Sequence, residues 1–453
     1  MFNPKLRRLP LATAALVACT GAMAGYSSPD GDFTLSGFGT LGAVKTSTDE
    51  ALYSYPGQGG GADKSVSINP DTKLAVQGTY KFKPTLSGTA QMMTKYDASG
   101  QYIPTFEWAF AKWQALPALT VRAGKMGAPF FMVSDFRDVG YANTTVRPVL
   151  DVYGQVPFSA VEGADVSYQA NLGSTTLTST FWTGTTKAKY SSALLSMGQP
   201  ADPVDIKLQG ITGLNLIAEM DNGLTLRAGH AQGKLSSHSP SGVSVEAAAK
   251  GLVGFGAVTA ADAADVVQAM TVDHTDASFS GLGFAYDQNN IVLGGEFTKR
   301  KIKNGYIADT KGWYALAGYR FGSVLPYMSI SRLSSTPNTS ISQLTIGHYA
   351  ALLANPLTAR AATGAAFGSQ AILNSQKQTE NTASLGVRWD ARSGLAVKTQ
   401  FDRINIPSGS SGLPMVVDPL KAAAPTLAGG TNNAYLNKRK GINVLSVSLD
   451  FVF

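Results

Sequence analysis

The chain has 453 residues, with 37 Lys and Arg against 30 Asp and Glu, four His, 48 Gly and a formal net charge of +7. Charged residues are 15% of the total, against about 25% in an ordinary soluble domain, which argues against a charge-coated soluble enzyme. The mild basic bias is too small to indicate a nucleic-acid partner, and mean hydropathy is near zero. After the first 24 residues, no stretch offers the roughly 18 uninterrupted apolar residues that a transmembrane helix needs. The nearest, 251–261, is bounded by Lys250 and Asp262.

At the start of the chain, Lys5, Arg7 and Arg8 form a basic opening, 9–18 is a short apolar run, and Ala22-Met23-Ala24 is a small-x-small site. This reads as a cleaved secretory signal over 1–24, with 25–453 as the mature domain. Leu16-Val17-Ala18-Cys19 also fits a lipoprotein cleavage pattern that would lipidate Cys19. Cleavage after Ala24 is the favoured reading, because an integral barrel has no need of a lipid anchor. Cys19 is the only cysteine. The mature domain then has no thiol for a disulfide, a nucleophile or a zinc site.

Beyond the leader, segments of alternating polarity recur at about 9–11 residues, the length a tilted strand needs to cross a bilayer. Sixteen are expected, at 33–44, 73–82, 86–96, 106–114, 118–126, 161–170, 174–184, 205–218, 224–234, 277–287, 291–301, 311–321, 325–333, 379–390, 395–404 and 441–453. Tight turns rich in Asn, Asp, Gly and Pro fall near 83–85, 116–117, 171–173, 221–223, 288–290, 322–323 and 392–394. Longer connections fall between them, near 45–72, 97–105, 127–160, 185–204, 235–276, 302–310, 334–378 and 405–440. Short and long connections alternate along the whole chain. An all-β, transmembrane, antiparallel up-and-down barrel produces that pattern, with both termini on the short-turn side. Ala-rich 245–270 and Ala- and Leu-rich 345–372 read as short helices folded over the long-loop mouth.

Alternation assigns the faces. Leu395, Val397, Thr399 and Phe401 oppose Lys398, Gln400 and Asp402; Leu385, Val387 and Trp389 oppose Arg388 and Asp390; Leu74, Val76, Tyr80 and Phe82 oppose Gln77, Thr79 and Lys81. A charge at the lipid-facing midplane costs about 2–4 kcal/mol, so the charged face must look inward. Lys81, Lys95, Arg122, Arg388 and Lys398 are the expected wall bases. A polar lumen in a barrel of this strand number points to a water-filled pore for passive diffusion. Tyr80, Phe82, Tyr96, Trp108, Trp182, Tyr286, Trp313, Tyr319, Phe321, Trp389 and Phe453 are candidates for interfacial girdles, with some packing inside loops instead.

The connection 127–160 is too apolar for a free surface loop. Phe130, Phe131, Met132 and Phe136 need burial, whereas Asp135, Arg137, Asp138, Arg147 and Asp151 need water or partners. Folding it into the barrel would set the apolar side chains against the wall and turn the charges toward the channel. The five charged residues are then the expected constriction, with the alternative that individual pairs only anchor the loop. Acids facing bases across a narrow aqueous gap would create a transverse field, and the count of inward bases leans toward anions.

The last strand alternates Leu445, Val447, Leu449, Phe451 and Phe453 with Val444, Ser446, Ser448, Asp450 and Val452. A terminal aromatic on such a strand resembles the insertion signal of bacterial outer-membrane barrels. Lys125-Met126, Pro129, Phe131-Met132 and Ser134-Asp135-Phe136-Arg137-Asp138-Val139-Gly140-Tyr141, with the opening Ser36-Gly37-Phe38-Gly39-Thr40-Leu41, resemble a family of proteobacterial porins of the general, sixteen-stranded type. The resemblance covers the mature chain in layout but only these segments in specific motifs. It implies an inward-folded third outer loop, a passive pore in outer-membrane lipid, a homotrimer, and contact of the last strand with the barrel-assembly machinery. The second outer loop, 97–105, is short for the latch that general porins place on a neighbouring subunit.

No catalytic constellation, cofactor site or metal site is expected. Gly37-Phe38-Gly39-Thr40-Leu41-Gly42 matches a dinucleotide fingerprint as a string, but it lies inside a strand with no helix following, so close backbone packing is its expected role. His230 shares parity with Leu224, Leu226 and Ala228 and should face lipid. A substrate-specific channel and a barrel enzyme remain as alternatives to a general pore.

Overall fold

Sixteen long strands build one closed antiparallel sheet. The computed structural model describes residues 25–191, 203–238, 240–338, 350–359, 361–362, 372–417, 423–426 and 430–453. The expected signal with Cys19, and much of 345–372, lie outside the described residues. The strands are β1 (Phe33–Thr46), β2 (Lys73–Lys83), β3 (Leu86–Lys95), β4 (Thr105–Leu116), β5 (Leu119–Gly127), β6 (Ala160–Leu172), β7 (Thr175–Tyr190) and β8 (Val204–Met220). They continue with β9 (Leu224–His238), β10 (Val272–Gln288), β11 (Ile291–Ile302), β12 (Asp309–Tyr319), β13 (Val324–Thr336), β14 (Glu380–Arg392), β15 (Leu395–Ile406) and β16 (Lys440–Val452). Each overlaps its expected position, although β7 runs on to Tyr190, past the expected 184, and β10 begins at Val272, ahead of the expected 277.

Every strand pairs with its chain neighbours, and the ring closes where β16 meets β1 from Phe38↔Val452 to Thr46↔Val444. Short turns and long connections alternate, as the sequence pattern requires. Positive φ at Asn289, Asn290, Gly223 and Gly394 explains the Asn and Gly of three of the tight turns.

The outside is apolar. Val76, Phe106, Phe181, Leu214, Leu282, Met328, Leu385, Phe401 and Val447 are all exposed, and they are spread over strands right round the barrel. A soluble protein avoids such a belt, whereas lipid requires one. Near the short turns the exposed side chains become aromatic, at Tyr80, Phe82, Trp113, Tyr168, Tyr319, Phe321 and Trp389. Three of the expected girdle residues belong elsewhere. Trp182 points inward, is 1% exposed and packs edge-on against Phe130. Trp108 also turns inward beside Asp135, because a bulge at β3–β4 shifts the register next to it. Tyr96 lies in a loop bridge with Tyr102. Trp182 shares the inward parity of Thr178 and Thr180 against the exposed Phe181, whereas the bulge at Trp108 and the loop bridge at Tyr96 are set by tertiary structure.

Helices α2 (Pro240–Gly254) and α3 (Ala260–Met270) occupy the expected Ala-rich connection. Thr259 and Asp262 form a capping box at the start of α3. Val245, Ala249, Val266 and Met270 pack with Leu235, Val272 and Ile302 at the long-loop ends of β9–β11. The short connection after β3 folds onto its own chain, with the Gly59 amide donating to the Asp97 carbonyl at 2.8 Å.

The glycine string in β1 marks the seam. A Cβ at Gly37 would stand 2.4 Å from the Phe453 ring, and one at Gly39 would stand 2.4 Å from the Phe451 ring. The two rings stack on the bare backbone of β1 at a centroid separation of 6.4 Å. Gly39→Val should therefore block closure, read as loss of the heat-modifiable folded band on a gel. Adding Phe451→Ala to that variant should restore part of the band.

Candidate functional site

The connection 128–159 between β5 and β6 runs through the barrel interior, and its partners lie on inward-facing positions around the wall. Near its start, the Pro129 carbonyl accepts from Asn215 of β8 at 3.0 Å and from Arg227 of β9 at 2.7 Å. The Met132 amide donates to Glu296 of β11 at 3.0 Å, and the Tyr153 hydroxyl donates to the other oxygen of that carboxylate at 2.7 Å. Phe130 and Phe131 wedge against Trp182 and Phe279, with ring centroids 5.1–5.8 Å apart. Of the apolar side chains expected to need burial, Phe130 and Phe131 find it, Met132 is half-buried, and Phe136 is 39% exposed.

From there the segment crosses to the opposite wall. Asp138 pairs with Lys73 of β2 at 3.2 Å and with Lys95 of β3 at 3.4 Å. Lys398 of β15, with no exposed side-chain surface, donates to the Gly140 carbonyl at 2.6 Å and the Thr145 carbonyl at 3.0 Å while paired with Asp450 of β16 at 3.1 Å. Arg388 of β14 donates to the Tyr141 and Asn143 carbonyls and lies over the Tyr141 ring. Arg147 is the most heavily engaged. It makes a two-pronged bond to Asp71 at 2.6 and 2.8 Å, donates to Tyr53 and Ser446, and lies 3.5 Å from Asp402. Asp151, in the short helix α1 (Leu150–Tyr153), accepts from Ser331 of β13.

The expected constriction residues therefore divide by exposure. Arg137, Arg147 and Asp151 are buried, so their charges do not face an open channel. Asp138 is half-buried between two lysines, and Asp135 alone of the five is exposed. For Arg147 and Asp138 the anchoring alternative describes the placement. Of the five expected wall bases, Lys81 is exposed and donates to the Gly31 carbonyl, and Lys398 is fully buried under the loop. Arg122 is held by Asp165 at 2.6 Å, and Lys95 lies 3.6 Å from Glu107.

Sequence reasoning missed the acids that match these bases. Asp71, Glu107, Asp165 and Glu296 each accept from or pair with an inward base. Asp165 and Glu296 could have been found by strand parity, since each is flanked by outward apolar residues: Val166 beside Asp165 and Phe297 beside Glu296. Asp71 lies in a loop, where parity gives no signal. With these acids counted, the excess of inward bases that leaned toward anions is largely matched.

Electrostatics hold the loop in place. Burial works to raise the Asp138 carboxyl, but the charges of Lys95, Lys73 and Arg137 outweigh it and keep the group well below the usual carboxylate range. Burial pushes the Asp151 carboxyl upward instead.

A closed sixteen-stranded barrel with its third long connection folded inside is a porin-like architecture. No family model matches the chain, and no curated protein matches it. Among solved structures it is similar to the outer-membrane channel DcaP of Acinetobacter baumannii, at 9% identity and a TM-score of 0.50, over 95% of this chain and 100% of that one. It also matches the anion-selective porin from Comamonas acidovorans at 12% identity and a TM-score of 0.48, over 93% of this chain and 99% of that one. OmpF of Salmonella typhi, in complex with daunomycin, matches at 12% identity and a TM-score of 0.48, over 95% and 100% of the two chains. At such identities the DcaP likeness bears on the fold alone.

Arg147→Ala strands the Asp71 carboxylate and the nearby Asp402 in the interior, and should lower stability by about 3–5 kcal/mol in urea unfolding of the folded band. Asp138 has a depressed folded value, so its contribution is in place above the unfolded value of about 3.9 and is lost only as pH falls through the lower folded one. Pepsin at about pH 3 should leave the 128–159 segment uncut in the native chain and cut it in Asp138→Asn.

Proposed function

We propose that the chain is a porin of a bacterial outer membrane, forming a water-filled channel through which small hydrophilic solutes and ions diffuse passively. The observation that carries this is the inverted polarity of a closed sixteen-stranded sheet, apolar outside and rich in ionised and amide side chains within. A barrel of this strand number leaves room for an aqueous path, where an eight-stranded one is filled by its own side chains. The channel needs no cofactor, and no enzyme chemistry is proposed. His230, one histidine on a barrel strand, sits on the outer face with its Nδ1 2.8 Å from the Ser280 hydroxyl, remote from the charged interior.

Asp135, Arg137, Asp138, Arg147 and Asp151 form the constriction in this reading, but in two roles. Arg147, Asp151 and Asp138 fix the loop to the wall, and Asp135 presents its charge to the solute path. Asp135 lies beside the end of β5, the strand that carries Arg122. Lys81, Lys95 and Arg122 line the wall, whereas Arg388 and Lys398 hold loop carbonyls. Because most inward bases are matched by acids, ion selectivity is weak. The last strand serves as the handle for the barrel-assembly machinery. A homotrimer remains the proposed assembly, although the connection after β3 is spent on its own chain.

Planar-bilayer recordings of the purified mature protein test the reading. Stepwise openings in threes, with conductance linear in salt and a reversal potential near zero under a salt gradient, are expected. Asp135→Lys should shift the reversal potential toward anion preference. Silent bilayers from folded protein would overturn the pore.

A further inference from the structure

We propose that a chamber beneath the long-loop mouth binds a monovalent aromatic carboxylate through Arg300. The proposal deepens the pore reading, on which it rests for the route by which a solute enters. The chamber has a volume of about 150 Å³ and lies between the inward faces of β7–β11, loop residues 154–158, and the connections at 372–378 and 412–415. Its walls are mainly apolar and aromatic, including Phe130, Phe158, Tyr190, Phe279 and Ile302. An apolar cavity of about this size accommodates a single benzene ring.

One cation breaks the apolar lining. Arg300 of β11 donates from Nη1 to the Gln155 carbonyl at 2.5 Å and from Nη2 to the Ala308 carbonyl at 2.9 Å. Its Nε is shielded from water and, among the described residues, has no acceptor. No carboxylate lies within 4.0 Å of this guanidinium among the described residues, and Asp309 acts on it only from farther away. Arg122, Arg147 and Arg227 all have an acid within that distance. A cation held by two neutral carbonyls in apolar surroundings, with its nearest acid acting only at a distance, keeps most of its charge uncompensated, which is costly. A bound carboxylate supplies both the counter-charge and the missing acceptor.

The same features set the ligand class. One guanidinium balances one negative charge, so a phosphate or dicarboxylate would bring charge that the apolar walls cannot satisfy. A ring is favoured over a bare small anion because Phe279, Phe158 and Tyr190 offer faces and edges to stack against. Glu296 and Asp151, farther along the interior, are engaged by Tyr153 and by Ser331 respectively, and are not available to neutralise Arg300.

Titration calorimetry on the folded full-length mature protein tests this, with benzoate as the probe, benzamide as its neutral twin and acetate as the charge without the ring. Benzoate should bind one saturable site at least about tenfold more tightly than either comparator. Arg300→Gln should remove that preference while leaving the weak benzamide binding. Ala277→Trp, which fills the chamber without touching the charge, should weaken benzoate and benzamide together, and it decides the matter if Arg300→Gln does not fold. Equal affinity for benzoate and benzamide, or benzoate affinity unchanged in both variants, would overturn the proposal. Conductance without benzoate binding overturns the chamber and spares the pore; binding without conductance does the reverse.

Discussion

Everything in this molecule depends on the ladder between its first and last strands. Hydrocarbon offers backbone N–H and C=O groups no water, so a sheet placed there cannot have an edge. The β16–β1 pairing removes the edge, and it is allowed only because Gly37 and Gly39 leave the backbone bare where Phe453 and Phe451 lie against it. The glycine string is the covalent condition for a closed ring. Lipid exposure, lumen polarity and the alternation of loop lengths follow once the ring exists.

Inside the ring the energetic problem is reversed. Charges are cheap at a wet wall and costly when buried alone, so a segment can be fastened there by ions if every ion is matched. The loop after β5 uses this. Arg147 with Asp71 and Asp402, Asp138 with Lys73 and Lys95, and Lys398 with Asp450 and two loop carbonyls are matched sets along one arc of the wall, from β15 across the seam to β3. The aromatic wedge of Phe130 and Phe131 secures the remaining side. A loop tied in this way is held by geometry from several strands at once.

The barrel itself was legible in the residues, because period-two alternation and turn composition are local signals. Leu385, Val387 and Trp389 face out and Arg388 faces in, as parity required. The loop position was legible too, since Phe130 and Phe131 have no other place to go. What parity could not convey is which polar side chain on the inward face meets which partner. Arg147 and Lys398 are indistinguishable from lumen-lining bases until Asp71 and the Gly140 carbonyl are brought to them. The pairing of Trp182 with Phe130, fifty-two positions away in the chain, is likewise outside what parity conveys. Such pairings are set by three-dimensional closure and leave no mark on nearby sequence.

The route of the 128–159 segment carries a consequence for assembly. Its carbonyls at 140, 141, 143 and 145 are held by Lys398 and Arg388, and Arg147 bonds Ser446. Those partners lie on the last three strands to emerge during synthesis. The segment is made early, but its 140–147 half cannot dock until the end of the chain is in place. Its docking is thus a late step that reports completion of the ring. An unfinished barrel leaves Arg147 and the carbonyls at 140–145 without these partners, a difference that a protease or a quality-control factor could read before the protein is released into the membrane.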